Sequence, residues 1–357
     1  MSTELHPTDA RPSTARQGPG AAREPAGARG AGHSPSWRLV AAMIVGVPTL
    51  VVAIAAMFVS LAVDPEPHQA LLGLVAPPPA ATAIESALAE RAGADAFVVE
   101  RFTDADDARA AIERRDLVGA ITVGAGGVTV LTAEAGSPVL AQVVVGVGNG
   151  IATAQGVPVA AESVVPTPET DARGTGFAAG LLPLLIAGMA LGGAAAIGLR
   201  GRVAMQATLA VLGPLVAGFG FAATWSWLGV IDGGVGTVGL AAALMIGAIT
   251  WFTVGAGSLL GTAGVGVSAL VMVLISNPLS GLASSPYLLP APWGTIGQWL
   301  PPGAGGTLLR SVAYFPAASI AAPVAVLAGW IAVGAGLLAL GTVRSRRADA
   351  AGSAVPA

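Results

Sequence analysis

The sequence predicts a polytopic α-helical membrane protein of six transmembrane helices, with a small α/β extracytoplasmic domain between helices 1 and 2. Three observations carry this. Hydrophobic residues make up 54% of the 357 and charged ones 10%, at a mean hydropathy of +0.74, whereas a soluble domain is about a quarter charged. The apolar residues gather in runs long enough to cross about 30 Å of hydrocarbon at 1.5 Å per residue. Between the first and second runs lies a stretch of different character, Asp64 to Gly176, with fifteen acidic residues against six arginines.

Residues 1–36 are rich in Ala, Gly, Pro, Ser and Arg and nearly devoid of large apolar side chains. Such a segment cannot bury enough surface to offset the entropy of ordering, so a disordered cytoplasmic tail is expected. Residues 37–63 form transmembrane helix 1: the run Leu39 to Val63 exceeds a signal-peptide core and reads as a retained anchor, with a tolerated proline, Pro48, inside it.

Residues 64–176 alternate in pattern. Strands are expected at Leu71 to Ala76, Phe97 to Arg101, Val118 to Val123 and Val128 to Thr132, and helices at Ala81 to Ala92 and Ala105 to Arg115. Gly124-Ala-Gly-Gly127 suits a hairpin between the last two strands. Ser137 followed by Pro138 signals the start of a helix over Pro138 to Gln155, although its Val143-Val144-Val145 run disfavours one. The arginines of the N-terminal tail, Arg200/Arg202 and Arg344 to Arg347 flank the acidic stretch, so the positive-inside rule places the domain outside and both termini in the cytoplasm of a plasma-membrane protein.

Residues 177–343 are expected to form a five-helix membrane domain. Its runs are Phe177 to Leu199, Val203 to Val230, Val238 to Leu279 and Ile320 to Val343. The third is about twice the length of one span, and Gly261-Thr-Ala-Gly264 supplies a turn near its middle, so it counts as two. A total of six returns Arg344, Arg346 and Arg347 to the side of the N-terminal arginines, with 344–357 as a cytoplasmic tail. Residues 280–319 interleave prolines with Tyr287, Trp293, Trp299, Tyr314 and Phe315, which suits a loop along the membrane interface. Within it, Ala304 to Phe315 reads as a short helix with Leu308, Leu309, Val312 and Phe315 on one face and Arg310 opposite.

No residue set announces a chemistry, and no catalytic, cofactor-binding or metal-binding residue is assigned. Cys is absent, which removes thiolate chemistry and Cys-ligated metals; Lys is absent too, which removes Walker-type phosphate loops. His6, His33 and His68 lie far from one another and from paired carboxylates. Asp104-Ala-Asp106-Asp107 invites a divalent cation, yet Thr103 with Asp106 three residues on has the spacing of a capping box. Gly146-Val-Gly148-Asn-Gly150 and Gly124-Ala-Gly126-Gly127 miss the dinucleotide fingerprint, and no Gly-x-Ser-x-Gly elbow occurs. The spans hold no Asp, Glu, His or interior Arg, which argues against an ion-coupled carrier. Gly188/Gly192 and Gly257/Gly261, each four apart, suit close helix packing.

This layout, with Asp171-Ala-Arg-Gly-Thr-Gly176 entering the second span and Leu300-Pro-Pro-Gly-Ala304 through Arg310 and Tyr314-Phe315 before the last, resembles the type-2 ABC-transporter permeases, in their YhgE/Pip-like branch. The resemblance covers about residues 37 to 345. It implies a homodimeric exporter subunit embedded in the lipid bilayer and a separate cytoplasmic ATPase; from the residues themselves, no cofactor and no nucleic-acid partner is expected. The chain departs from that pattern in its short Arg200-Gly-Arg202 link, which offers little for a motor to grip. A non-transporting envelope scaffold or receptor is the alternative.

Overall fold

The computed structural model describes residues 37–63, 66–282 and 284–353. The expected tail at 1–36 lies outside them. The chain divides into two compact units, Met1–Val51 and Val52–Ala357. Helix α1 (Trp37–Val63) begins in the first and continues through Pro48 without a break.

The second unit begins, after α1, with an α/β domain. Its elements are β1 (Ala70–Val75), α2 (Pro78–Ala92), β2 (Phe97–Phe102), α3 (Ala105–Glu113), β3 (Gly119–Gly124), β4 (Gly127–Thr132), α4 (Pro138–Gln155) and β5 (Val159–Ser163). They form one mixed sheet in the order β2-β1-β3-β4-β5. β1 pairs in parallel with β2 and β3, β4 runs antiparallel to β3, and β5 is parallel to β4. The β3–β4 hairpin closes over Ala125-Gly126, with Gly127 at φ +119 where a side chain would be strained. Helices α2 and α4 cover one face over Leu72, Leu74, Ile121, Val128 and Val130; α3 covers the other over Ala120 and Leu131. Helix α4 forms despite its valine run because Ser137 Oγ caps Leu140 N–H at 3.3 Å, Pro138 occupies the first turn and Val144 is fully buried. Strand β5 has no counterpart among the sequence expectations.

The remaining chain is helical: α5 (Thr175–Gly198), α6 (Val203–Trp227), α7 (Val235–Leu260), α8 (Thr262–Ala269), α9 (Ser276–Leu279), α10 (Trp293–Gln298), α11 (Pro301–Tyr314) and α12 (Ala321–Ser353). A π-helical turn, Leu270–Ile275, joins α8 to α9. Pro278 has no N–H to donate and its ring crowds the carbonyl four residues back, which accounts for the widened turn before it. Five stretches are long and apolar enough to cross a membrane, namely α5, α6, α7, the composite Thr262–Leu279, and α12 up to Arg347. They make this a polytopic helical protein of the membrane-embedded kind. The long third run is divided at Gly261, whose φ of +68 only glycine adopts freely.

Helix α7 is the axis of the bundle, and small residues let its neighbours reach it. A Cβ at Gly192 of α5 would stand 2.5 Å from Thr253 Cβ, one at Gly218 of α6 2.5 Å from Ala243 N, and one at Gly341 of α12 2.8 Å from Ser258 O. The backbones therefore meet closely, and Thr250 Oγ1 donates across the α5 seam to Gly188 O at 3.2 Å. Gly188/Gly192 and Gly257 work as packing residues. Arg344, Arg346 and Arg347 belong to α12, which continues as helix to Ser353.

Candidate functional site

The two sequence blocks that carry the family resemblance meet in space. Asp171 lies just before α5 and is 8% exposed. Its Oδ1 accepts from Gly176 N–H at 2.9 Å and its Oδ2 from Phe177 N–H at 3.0 Å, satisfying two of the free amides at the helix start and placing negative charge on the positive end of the dipole. Phe177, fixed by that cap, packs its ring against Trp225 at 5.0 Å and Tyr314 at 5.3 Å. The guanidinium carbon of Arg310 sits over the same ring at 5.2 Å from its centroid. Tyr314 Oη donates to Val230 O at 2.8 Å, tying α11 to the end of α6.

Arg310 corrects one sequence expectation. Its helix forms, but not as a half-exposed one: α11 is enclosed by α7 and the segment around Leu282, and Arg310 is 6% exposed, like the leucines it was expected to oppose. It donates through Nη2 to Leu282 O at 3.2 Å, and no carboxylate among the described residues lies within 4 Å of it. Burial lowers its pKa to about 10, still far above neutral, so the charge is kept.

A second uncompensated arginine comes from the α/β domain. Arg115 ends α3 at φ +61, in the left-handed region. Arg115 N–H donates to Ile112 O and Asp116 N–H to Ala111 O, both at 2.9 Å, the two bonds of a Schellman ending in which glycine usually holds the left-handed position. An arginine there costs about 1–2 kcal/mol of backbone energy. In return its side chain is aimed at α11, donating through Nη1 to Thr307 O at 3.0 Å and Ser311 Oγ at 2.7 Å, with the guanidinium 5.2 Å from the Phe315 centroid. Burial lowers this guanidinium too, to about 10. Phe315 is itself buried in the α3-side core of the domain. The α11 end is thus clamped to the sheet by an apolar plug and a cation.

Arg115 lines a cleft of about 340 Å³ between the domain and the bundle. At its rim Arg114 and Asp116 pair at 2.8 Å. Gln298, Thr307, Ala322 and Pro323 line this cleft and also a larger apolar cavity of about 880 Å³ formed by α7, α10, α11 and α12, a groove open at the side of the bundle where Trp299 and Val333 are exposed. The dividing polar pair is held by Thr307 Oγ1 donating to Gln298 Oε1 at 2.6 Å and Gln298 Nε2 donating to Ser280 O at 3.1 Å. Trp330 stacks edge-on to Phe252 at 4.9 Å and donates Nε1 to Trp299 O at 2.9 Å, which fixes the aromatic wall.

The other groups weighed in the sequence fall elsewhere. The cap of α3 is Asp104, whose Oδ1 accepts from Asp106 N–H at 3.0 Å, and not Thr103; Asp106 and Asp107 occupy the first turn. His68 N–H donates to Tyr287 O at 2.7 Å, tying the strand start to the loop before α10; His6 and His33 lie outside the described residues. Gly148 packs its α4 backbone against Val130, and Gly146 faces open space. Arg115, Gln298 and Thr307 were not singled out by sequence; the one available signal was four consecutive charges, Glu113-Arg114-Arg115-Asp116, closing a helix where a glycine is usual. Comparison of the chain with protein-family models, with curated proteins and with solved structures finds no match in any of the three.

Proposed function

We propose that the protein is the membrane subunit of an ABC-type exporter for a hydrophobic or amphiphilic substrate, a homodimer in the plasma membrane whose ATPase is a separate chain. The observation that carries this reading is the large apolar cavity adjoining a cationic cleft at one end of the bundle. The reading includes six spans, with α1 as the first, residues 64–176 outside and both termini inside. Supporting the orientation, Arg200, Arg202, Arg344, Arg346 and Arg347 lie at the bundle end opposite the α/β domain. Exposed Trp227, Trp293 and Trp299 lie towards the domain end, as suits headgroup level. Alkaline phosphatase fused after Ala120 should be active and after Gly341 inactive; activity at Gly341 would overturn the six-span reading.

The scaffold reading has one specific observation in its favour. The links at the arginine-bearing end are short, residues 199–202 between α5 and α6 and Gly261 alone between α7 and α8, so an ATPase would find little to hold except the extension of α12. Purification through a C-terminal tag decides between them. Co-purification of an ATPase, together with lost resistance to amphiphilic compounds on deletion, supports the exporter; absence of both leaves the scaffold.

A further inference from the structure

We infer that the Arg115 cleft and the apolar cavity beside it form one binding site for an anionic amphiphile, a hydrocarbon chain carrying a phosphate or carboxylate head. The inference rests on the exporter reading for transport only; binding stands on the geometry.

The two spaces share four lining residues, so a ligand whose head lies at Arg115 passes the Gln298–Thr307 pair and enters the cavity with its tail. On the polar side, Arg114 is neutralised by Asp116, and Arg115 has no carboxylate within 4 Å among the described residues. Its Nη1 makes both of its bonds to α11, which leaves the Nε and Nη2 hydrogens without a protein partner among those residues. A partly buried guanidinium without a counter-charge is costly, and this one is held at a left-handed backbone position as well. A planar fork with free donors matches a phosphate or carboxylate edge, and the nearby Arg310 adds to the positive potential. On the apolar side, Phe252, Val326, Trp330 and Val333 offer no charge, and the volume lies within the range of ligand pockets. A free phosphate would leave this cavity empty. A cationic amphiphile would be repelled by both arginines.

The test uses the full chain in a neutral detergent, with tryptophan fluorescence as readout, because Trp299 and Trp330 line the cavity. The probe is 11-bromoundecyl phosphate, whose bromine quenches tryptophan on contact. Saturable quenching is expected, at least tenfold tighter than for 11-bromoundecyl trimethylammonium, and lost in the Trp299→Phe/Trp330→Phe double variant. Arg115→Gly keeps the left-handed backbone and should weaken the phosphate probe at least tenfold while binding the cationic probe no more weakly than the parent does; Arg115→Lys should lie between. Should Arg115→Gly fail to give a monodisperse protein, the head-group comparison and the tryptophan variant still decide. Equal affinity for both heads, quenching unaffected by the tryptophan changes, or inorganic phosphate displacing the probe with an affinity equal to the probe's own overturns the proposal. Displacement by phosphatidylglycerol as well as by dodecyl phosphate supports it with a bilayer lipid as the source, and displacement by dodecyl phosphate alone supports it with a separate amphiphile. Selective binding in a protein that co-purifies with no ATPase retains the site and removes the exporter.

Discussion

Replacing Asp171 tests whether the junction between domain and bundle is a helix cap or merely a linker. Both carboxylate oxygens are used, on Gly176 N–H and Phe177 N–H, and the residue is 8% exposed. Asp171→Ala leaves two buried amides unpaired at the start of α5. A lost cap costs about 0.5–2 kcal/mol, and hydrogen bonds to a charged group contribute about 1.5–3 kcal/mol each. Water entering from the loop side recovers part of this, so a loss of about 2–3 kcal/mol is expected. Asp171→Asn keeps one acceptor and should lose about half as much. The assay is the temperature at which the monodisperse peak disappears in detergent. Its readout is the order of the three proteins, since such unfolding is not two-state. Parent above Asn above Ala is expected. An alanine variant that survives heating as well as the parent refutes the cap, and an Asn variant below the Ala variant refutes the assigned acceptors.

Residues 66–172 expressed alone should give a mixed helix and strand circular dichroism spectrum, since the sheet is covered on both faces by its own helices; a random-coil spectrum would contradict this. Asp104→Ala should lower the stability of that domain by about 1 kcal/mol through loss of the α3 cap, seen as a lower melting temperature, and tight calcium binding abolished by the change would overturn the structural role. Gly192→Leu should cost more than the roughly 1–3 kcal/mol of ordinary overpacking, because even its Cβ meets Thr253; unchanged thermal survival in detergent would show that the α5–α7 seam is not close-packed.

The helices of the bundle were legible because hydrocarbon thickness imposes a length and Gly261 imposes a stop, both one-dimensional signals. The α/β pattern was legible where alternation or a cap marked it, as at β3, β4 and Ser137. Strand β5 was not: Val159-Ala-Ala-Glu-Ser163 has mostly exposed side chains with no apolar alternation, and its register against β4 and the Arg109–Glu162 ion pair hold it rather than any pattern of its own. Arg115 was illegible for a related reason. A left-handed residue is a property of the Schellman ending, and the composition around Arg115 gives no glycine to announce it. Arg310 misled because helical periodicity reports which residues share a face, not how many faces are covered. In α11 nearly all of them are.

That burial makes Arg310 the sharpest test of whether the convergent cluster is architecture or function. A buried charge without a counter-ion is a poor structural device, because removing a guanidinium from water costs several kcal/mol and here one carbonyl bond and one aromatic face offset it. The bond to Leu282 O contributes about 1.5–3 kcal/mol and the Phe177 contact about 0.5–2. These terms are no larger than the desolvation they oppose. Arg310→Met, which keeps the unbranched stem and fills most of the volume, is therefore expected to leave thermal survival in detergent equal to the parent or higher. Arg310→Ala opens a cavity beside Phe177 and Leu282 and should lower it. If the methionine variant is stable yet loses the resistance against amphiphilic compounds that the exporter proposal expects of the parent, the charge is kept for function. If it falls as far as the alanine variant, the guanidinium is a net structural support and the reasoning from desolvation fails.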